Sequence, residues 1–252
     1  WTPAFHPGAK IQPSILRPQF IEFEDKGGIL PTHTVGAWSM GTYRTSLGKL
    51  NYDLYIGNGN RIVDAGSDTG VLDFNAVSDD NSNKLLGLNV SFSFEETLDG
   101  LRLGIHGLKQ EVSAYNAAST RVGRTMMNTL GVYAVYDTDK WEVLSEYYHF
   151  NNDDLMSGAG TNHTSWAGFA QLAYRTDGAW MPYLRTEKTA LNQSDAYFLQ
   201  QASGRSYTRN AIGTRYDLDV KSAIKLEINH TSITDGVATD FNEVRAQYAI
   251  RF

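Results

Sequence analysis

Two histidine–serine pairs have the spacing in this sequence best suited to covalent chemistry. His230 and Ser232 stand two apart in Ile228-Asn-His-Thr-Ser232, and His163 and Ser165 repeat the spacing in Asn162-His-Thr-Ser165. Residues two apart on a strand share a face. A serine nucleophile needs its base within hydrogen-bond reach and a third group to hold that base, and Asp235 or Glu227 would serve the first pair. The same text in a second strand argues for coincidence, so a hydrolase is the minor reading. The stretch Asn58–Asn83 carries Asp64, Asp68, Asp73, Asp79 and Asp80. Their spacing is not that of a twelve-residue calcium loop, and the stretch reads as an acidic, solvated loop. No His-x-x-x-His pair occurs and cysteine is absent, so neither a metal site nor a cofactor is expected. Gly57-Asn-Gly59 has no following helical pattern and reads as a strand-end turn rather than a dinucleotide fingerprint.

The third constellation is a set of charges in mid-strand. Asp53, Arg102, Glu142, Glu146, Arg185, Glu187, Lys225, Glu227, Glu243 and Arg245 each alternate with apolar neighbours. An Arg or Lys turned to lipid at mid-depth costs about 2–4 kcal/mol, whereas a water-filled interior accepts it. Opposed rows of both signs would set a transverse field that orients polar solutes and filters ions. Pairing of these charges across neighbouring strands inside a filled interior is the competing structural reading.

The elements that must carry these residues are strands. From Leu86 to Phe94 the apolar residues Leu86, Leu88, Val90, Phe92 and Phe94 alternate with Gly87, Asn89, Ser91 and Ser93, a period of two. The pattern recurs in Leu50–Ile56, Leu101–Ile105, Ile224–Ile228 and Val244–Phe252. Eleven strands are expected, at about 33–45, 50–57, 84–95, 100–111, 124–136, 141–150, 163–174, 179–188, 205–216, 220–232 and 241–252. Their connections alternate between tight turns (Ser46–Lys49, Glu96–Asp99, Asp137–Lys140, Arg175–Gly178, Asp217–Asp219) and long polar loops. The expected loops are Asn58–Asn83, Val112–Gly123, Asn151–Asn162, Thr189–Gly204 and Ile233–Asp240. Short turns at one end, long loops at the other and strands of about ten residues are the grammar of an all-β transmembrane antiparallel up-and-down β-barrel.

Composition agrees. The chain has 252 residues, a net charge of −6, 12% aromatic residues, 23 glycines and no cysteine. That excludes a disulfide scaffold and a basic nucleic-acid binder, and no apolar run is long enough for a membrane helix. Trp141, Tyr147, Tyr148, Trp166, Tyr174, Trp180, Tyr207 and Tyr216 fall near strand ends, where interfacial girdles form. A soluble sandwich or lipocalin-like barrel would also alternate, but gives no reason for hairpins to segregate by length. The sequence from Trp1 starts polar and proline-bearing rather than basic and then apolar, which fits a cytosolic protein or a processed chain.

Tight turns on the periplasmic side would start the strand 33–45 on the outside. Either Lys10–Glu24 is a twelfth strand or strands upstream of Trp1 are missing. Pro13 and Pro18 oppose a strand there, since each removes a ladder donor. Ile15-Leu-Arg-Pro-Gln-Phe-Ile-Glu22, Val35-Gly-Ala-Trp-Ser-Met-Gly-Thr-Tyr43, Leu50–Gly59, Leu98–Gly104 and the terminal strand together resemble the sixteen-stranded general porins of Gram-negative bacteria, in particular the branch that includes the phosphate-selective porins. The resemblance covers most of the chain but rests on hairpin grammar and a few short phrases. It implies residues 33–252 as barrel strands, with five more upstream to make sixteen, and residues 1–32 as an extracellular or pore-constricting segment. Arg17, Glu22, Glu24, Asp25 and Lys26 would then fold inward and narrow the pore. It further implies an outer-membrane location, passive diffusion of small polar solutes or ions through a lumen lined by Arg17 and the ten charges above, and a homotrimer. The ending Tyr248-Ala-Ile-Arg-Phe252 resembles the signal read by the barrel-assembly machinery, with Tyr248, Ile250 and Phe252 as its residues. No dense lysine ladder is present, so anion specificity is not carried over. A structural or partner-holding barrel with a plugged lumen is the alternative.

Overall fold

The computed structural model describes residues 11–63, 69–73, 83–156, 161–236 and 239–251. Within them the chain is almost entirely β. The strands are β1 (Gly36–Arg44), β2 (Gly48–Gly57), β3 (Arg61–Val63), β4 (Val71–Leu72), β5 (Leu85–Phe94), β6 (Leu101–Tyr115), β7 (Arg121–Asp137), β8 (Trp141–Asp154), β9 (Thr161–Tyr174), β10 (Trp180–Ala190), β11 (Tyr207–Asp217), β12 (Ser222–Ile233) and β13 (Thr239–Ile250). They form one sheet in the order β1-β2-β5-β6-β7-β8-β9-β10-β11-β12-β13, with β3 and β4 off this path. Every neighbouring pair on the path is antiparallel. The eleven strands on the path are the eleven expected from alternation. Among the described residues, β1 is paired only with β2 and β13 only with β12.

Residues 11–24 form no strand. They carry a 3₁₀ turn at Gln19–Ile21, and a second follows at Glu24–Lys26, which removes the twelve-strand option at that place. The strict alternation of connection lengths is also corrected. β6 and β7 run on to leave only 116–120 between them, and 155–160 and 234–238 join β8 to β9 and β12 to β13. Only 58–84, which holds β3 and β4, and 191–206, which holds a helical turn α1 (Ala196–Leu199), are long. The reason is that pairing outlasts amphipathicity. Glu111, Val112, Ser113 and Ala114 are all buried, because β3 pairs in parallel beside the projecting end of β6. Glu111 accepts from Arg124 Nε at 2.6 Å and from Asn83 Nδ2 at 2.5 Å. The period-two signal vanishes there while the backbone ladder continues.

The two faces of the sheet differ in kind. Leu54, Ile56, Leu86, Leu103, Ile105, Leu130, Val132, Leu184, Ile212, Ile224, Leu226, Ile228 and Val244 all stand exposed on one face. So continuous an apolar band is foreign to the surface of a water-soluble monomer. Cross-strand aromatic pairs sit at the tight-turn end of that face. Trp141 lies opposite Tyr174 with ring centroids 4.7 Å apart, and Trp180 opposite Tyr216 at 4.7 Å.

On the concave face, rings lie across glycines of the neighbouring strand. Tyr55 is registered opposite Gly87 and His106 opposite Gly131. A Cβ on Gly131 would fall 2.0 Å from His106 Nε2. His106 is buried and packs on Tyr148 at 4.7 Å, so its ring cannot yield. Gly131→Val is therefore expected to destabilise the fold by about 1–3 kcal/mol through overpacking, read as a lower urea-unfolding midpoint.

Candidate functional site

The site is the concave face and the segment 11–35 that lies against it. The segment contributes Phe20, Ile21, Ile29 and Leu30, all buried, to a cluster with Leu108, Met127, Tyr148, Phe150, Phe169 and Phe198 from the wall and α1. Two prolines deny this stretch a sheet partner. Its backbone groups must then be satisfied otherwise, and the side chains of β10–β12 do this. Glu227 accepts the N–H of Ile15 at 2.8 Å and of Leu16 at 3.4 Å, and Glu187 accepts that of Gln19 at 2.7 Å. Tyr207 Oη accepts from Phe20 N at 3.1 Å. In the other sense, Arg185 donates to Leu16 O at 2.7 Å, Lys225 to Ser14 O at 3.0 Å, and Arg215 to Ile11 O. Arg209 donates to Gln19 Oε1 at 2.8 Å. The wall thus presents acceptors to the N–H groups of the segment and donors to its carbonyls.

The wall charges are also tied to one another. Arg185 lies 3.7 Å from Glu187 and 3.9 Å from Glu227, and Arg209 lies 3.8 Å from Glu187. Tyr207 donates to Glu187 at 2.8 Å, Tyr183 donates to Glu227, and Asn229 donates to Glu227 at 2.7 Å. Burial of charge is tolerable only with such pairing and hydrogen bonding.

All ten mid-strand charges fall on the concave side, by strand parity and register, but their surroundings differ. Glu146, Arg185, Glu187, Lys225 and Glu227 are buried. The last four touch the segment or its partners, and Tyr148 donates to Glu146. Their contacts are therefore with protein rather than open water, because the segment covers them. Glu142 is likewise buried and sits near the turn end, where Arg175 bridges it at 3.0 Å to Asp137 at 2.8 Å. The remaining four lie towards the ends of the sheet. Asp53 accepts from Asn89 at 2.9 Å, the Arg102 guanidinium stands 5.8 Å from the Tyr133 ring, and Glu243 pairs with Arg245 at 2.7 Å. Arg17 lies over the Phe23 ring at 4.3 Å. It helps line a recess of about 610 Å³ with Glu22, Lys26, Arg205, Arg209 and Arg245. Tyr248 and Ile250 are exposed on the apolar face, and Phe252 lies outside the described residues.

Sequence reasoning missed the hydrogen-bonding use of Tyr183, Tyr207 and Gln19, and the hold of Glu24 on Thr32 and His33. Their signal is weak, since hydroxyls and amides on a polar strand face are ordinary. Glu24 accepts from Thr32 N at 2.6 Å, His33 N at 3.0 Å and Thr32 Oγ1, with His33 Nδ1 at 3.0 Å. Burial pushes the Glu24 carboxyl up, but these bonds outweigh it and hold it below the usual carboxylate range. A lowered folded-state value means the stabilisation is present above the ordinary carboxylate range and lost as pH falls through the lowered value. Acidification through that range is expected to loosen the clasp of Glu24 on Thr32 and His33, seen as faster peptic cleavage beside Phe23. The Glu24→Gln variant should cleave fast at the weakly acidic start of that range as well.

Among the described residues the candidate catalytic pairs are not assembled. His230 Nδ1 lies 2.9 Å from Asn242 Oδ1, Asp235 accepts from Gln193 at 2.8 Å and from Ser206 N, and Glu227 is on the opposite face from His230. Ser165 Oγ accepts from Asn192 N at 2.9 Å. Of the acidic loop, Asp73 pairs with Arg61 at 2.7 Å, and Asp64, Asp68, Asp79 and Asp80 lie outside the described residues. Among the described residues no cluster of metal-ligating side chains occurs.

No protein-family model and no curated protein matches the sequence. Among solved structures, an anion-selective porin from Comamonas acidovorans is similar in fold, with a TM-score of 0.51 and 9% identity over 85% of this chain. This chain spans 57% of the length of that porin.

Proposed function

We propose that the chain acts as a porin in the outer membrane of a Gram-negative bacterium, passing small polar solutes and ions by diffusion. The observation that carries this is the division of one sheet into an exposed apolar band with aromatic pairs at one edge and a concave face bearing the ten alternating charges. A wall with lipid on one side and water on the other needs that division. The segment 11–35 stands inside against β10–β12 and narrows the passage. Solutes pass on its other side, along the recess where Arg17, Glu22 and Lys26 face Glu243 and Arg245. The covered charges Arg185, Glu187, Lys225 and Glu227 hold the narrowing segment, and so set the width of the passage rather than line it. Assembly into a trimer, and recognition of Tyr248, Ile250 and Phe252 by the barrel-assembly machinery, belong to this reading.

One observation favours a second reading, a structural or partner-holding barrel with a plugged lumen. The cluster around Phe20, Ile29 and Phe198 is buried and fills the middle of the concave face. Planar-bilayer recordings of the folded protein separate the two. Ohmic single-channel steps are expected of a porin, and a folded, inserted protein that passes no current is a plugged barrel.

A further inference from the structure

A shallow depression of about 420 Å³ breaks the apolar face of the wall, bordered by Leu86, Leu88, Lys109, Asn128, Leu130 and His149. Gly107 makes it. A Cβ there would meet only Thr129 O, at 3.9 Å, so the place a side chain would fill in the band is open. Leu88 and Leu130 flank it, registered on either side of Gly107. Lys109 stands exposed at the upper border, registered between Leu86 and Asn128, and forms no ion pair among the described residues. The carboxylate two residues along the same face, Glu111, is occupied by Arg124 and Asn83. Asp153, near the Asn151 end of the depression, accepts from Asn162 at 3.0 Å.

Depth fits as well. His149 is registered opposite Trp166, which stacks on Tyr147 at 6.0 Å, and aromatic belts mark the boundary between hydrocarbon and headgroups. An uncompensated ammonium on a lipid-facing surface is costly at mid-depth and favourable at that boundary, where it meets anionic headgroups.

We propose that this depression is a docking site for one phosphorylated lipid, with an acyl chain over Gly107 between Leu88 and Leu130 and the headgroup phosphate on Lys109. Asn128 and His149 supply neighbouring donors. The lysine gives charge complementarity to the phosphate, and the missing side chain gives the chain its seat. The site rests on the reading of the exposed band as lipid-facing.

The test reconstitutes the full chain in phosphatidylcholine vesicles, with flotation first to establish insertion, and then measures retained lipid by native mass spectrometry. Phosphatidic acid is titrated against a carboxylate-headed lipid of the same chains. Retention of one phosphatidic acid is expected, about tenfold weaker in Lys109→Gln and again weaker in Gly107→Leu, while Lys188→Gln leaves it unchanged. Equal retention by wild type and Lys109→Gln overturns the site. So does equal retention of the carboxylate lipid, displacement by millimolar inorganic phosphate, or a change of oligomeric state in Gly107→Leu, which would make this face a subunit contact. Failure of the wild type to float with vesicles overturns the membrane reading itself, a result distinct from insertion without selective retention.

Discussion

Glu227→Ala is expected to detach residues 14–20 from the wall and to raise single-channel conductance several-fold. Glu227 is fully buried and accepts from Ile15 N, Leu16 N, Tyr183 and Asn229. Its loss strands two backbone donors and leaves Arg185, itself buried, with Glu187 as its only carboxylate partner among the described residues. Removing one member of a buried pair costs about 3–5 kcal/mol, and each stranded donor about 1–3 kcal/mol more. The segment can avoid both costs by moving into water. The double variant Arg185→Met, Glu227→Met separates release from unfolding. It removes the orphan charge at similar volume, so the wall should stay folded while the segment, still without its acceptor, swings free. High conductance in both variants is the expected recording.

Phe20→Ala attacks the same segment through packing. Phe20 is 1% exposed and meets Tyr148 edge-on at 5.8 Å and Phe169 at 6.2 Å. Truncating a buried phenylalanine costs about 3–5 kcal/mol through lost transfer energy and the cavity left behind. The wall is held by its own ladder, so this loss falls on docking. The expected outcome is noisy, enlarged conductance and rapid tryptic cleavage after Lys26, with the urea midpoint of the barrel little changed.

Alternation made the wall legible because a sheet with one apolar and one polar face must repeat every second residue, and Leu86–Phe94 does so without a break. The same rule placed Arg185, Glu187, Lys225, Glu227, Glu243 and Arg245 on one face. It failed where its physical cause ends. At Glu111–Ala114 both faces are covered by protein, so nothing selects a polar face, and Val112–Ala114, expected to be loop, is strand. In β1 the sense even inverts: Trp38 and Met40, registered with Tyr55 and Asp53, stand on the concave side while Ser39 and Gly41 take the other. Segment 11–35 was readable only negatively, from Pro13 and Pro18. Its position depends on contacts some two hundred residues away, such as Ile15 to Glu227, and no local pattern records them. For the same reason burial of Arg185 and Glu187 was invisible. Parity gives the face of a side chain, but not what lies on top of it.

Single-channel conductance in planar bilayers, wild type against Glu227→Ala and Phe20→Ala, tests the account most directly. Ohmic steps are expected for the wild type and larger steps for both variants. A folded, inserted wild type that passes no current, or variants with conductance equal to it, would contradict a conduit narrowed by the docked segment.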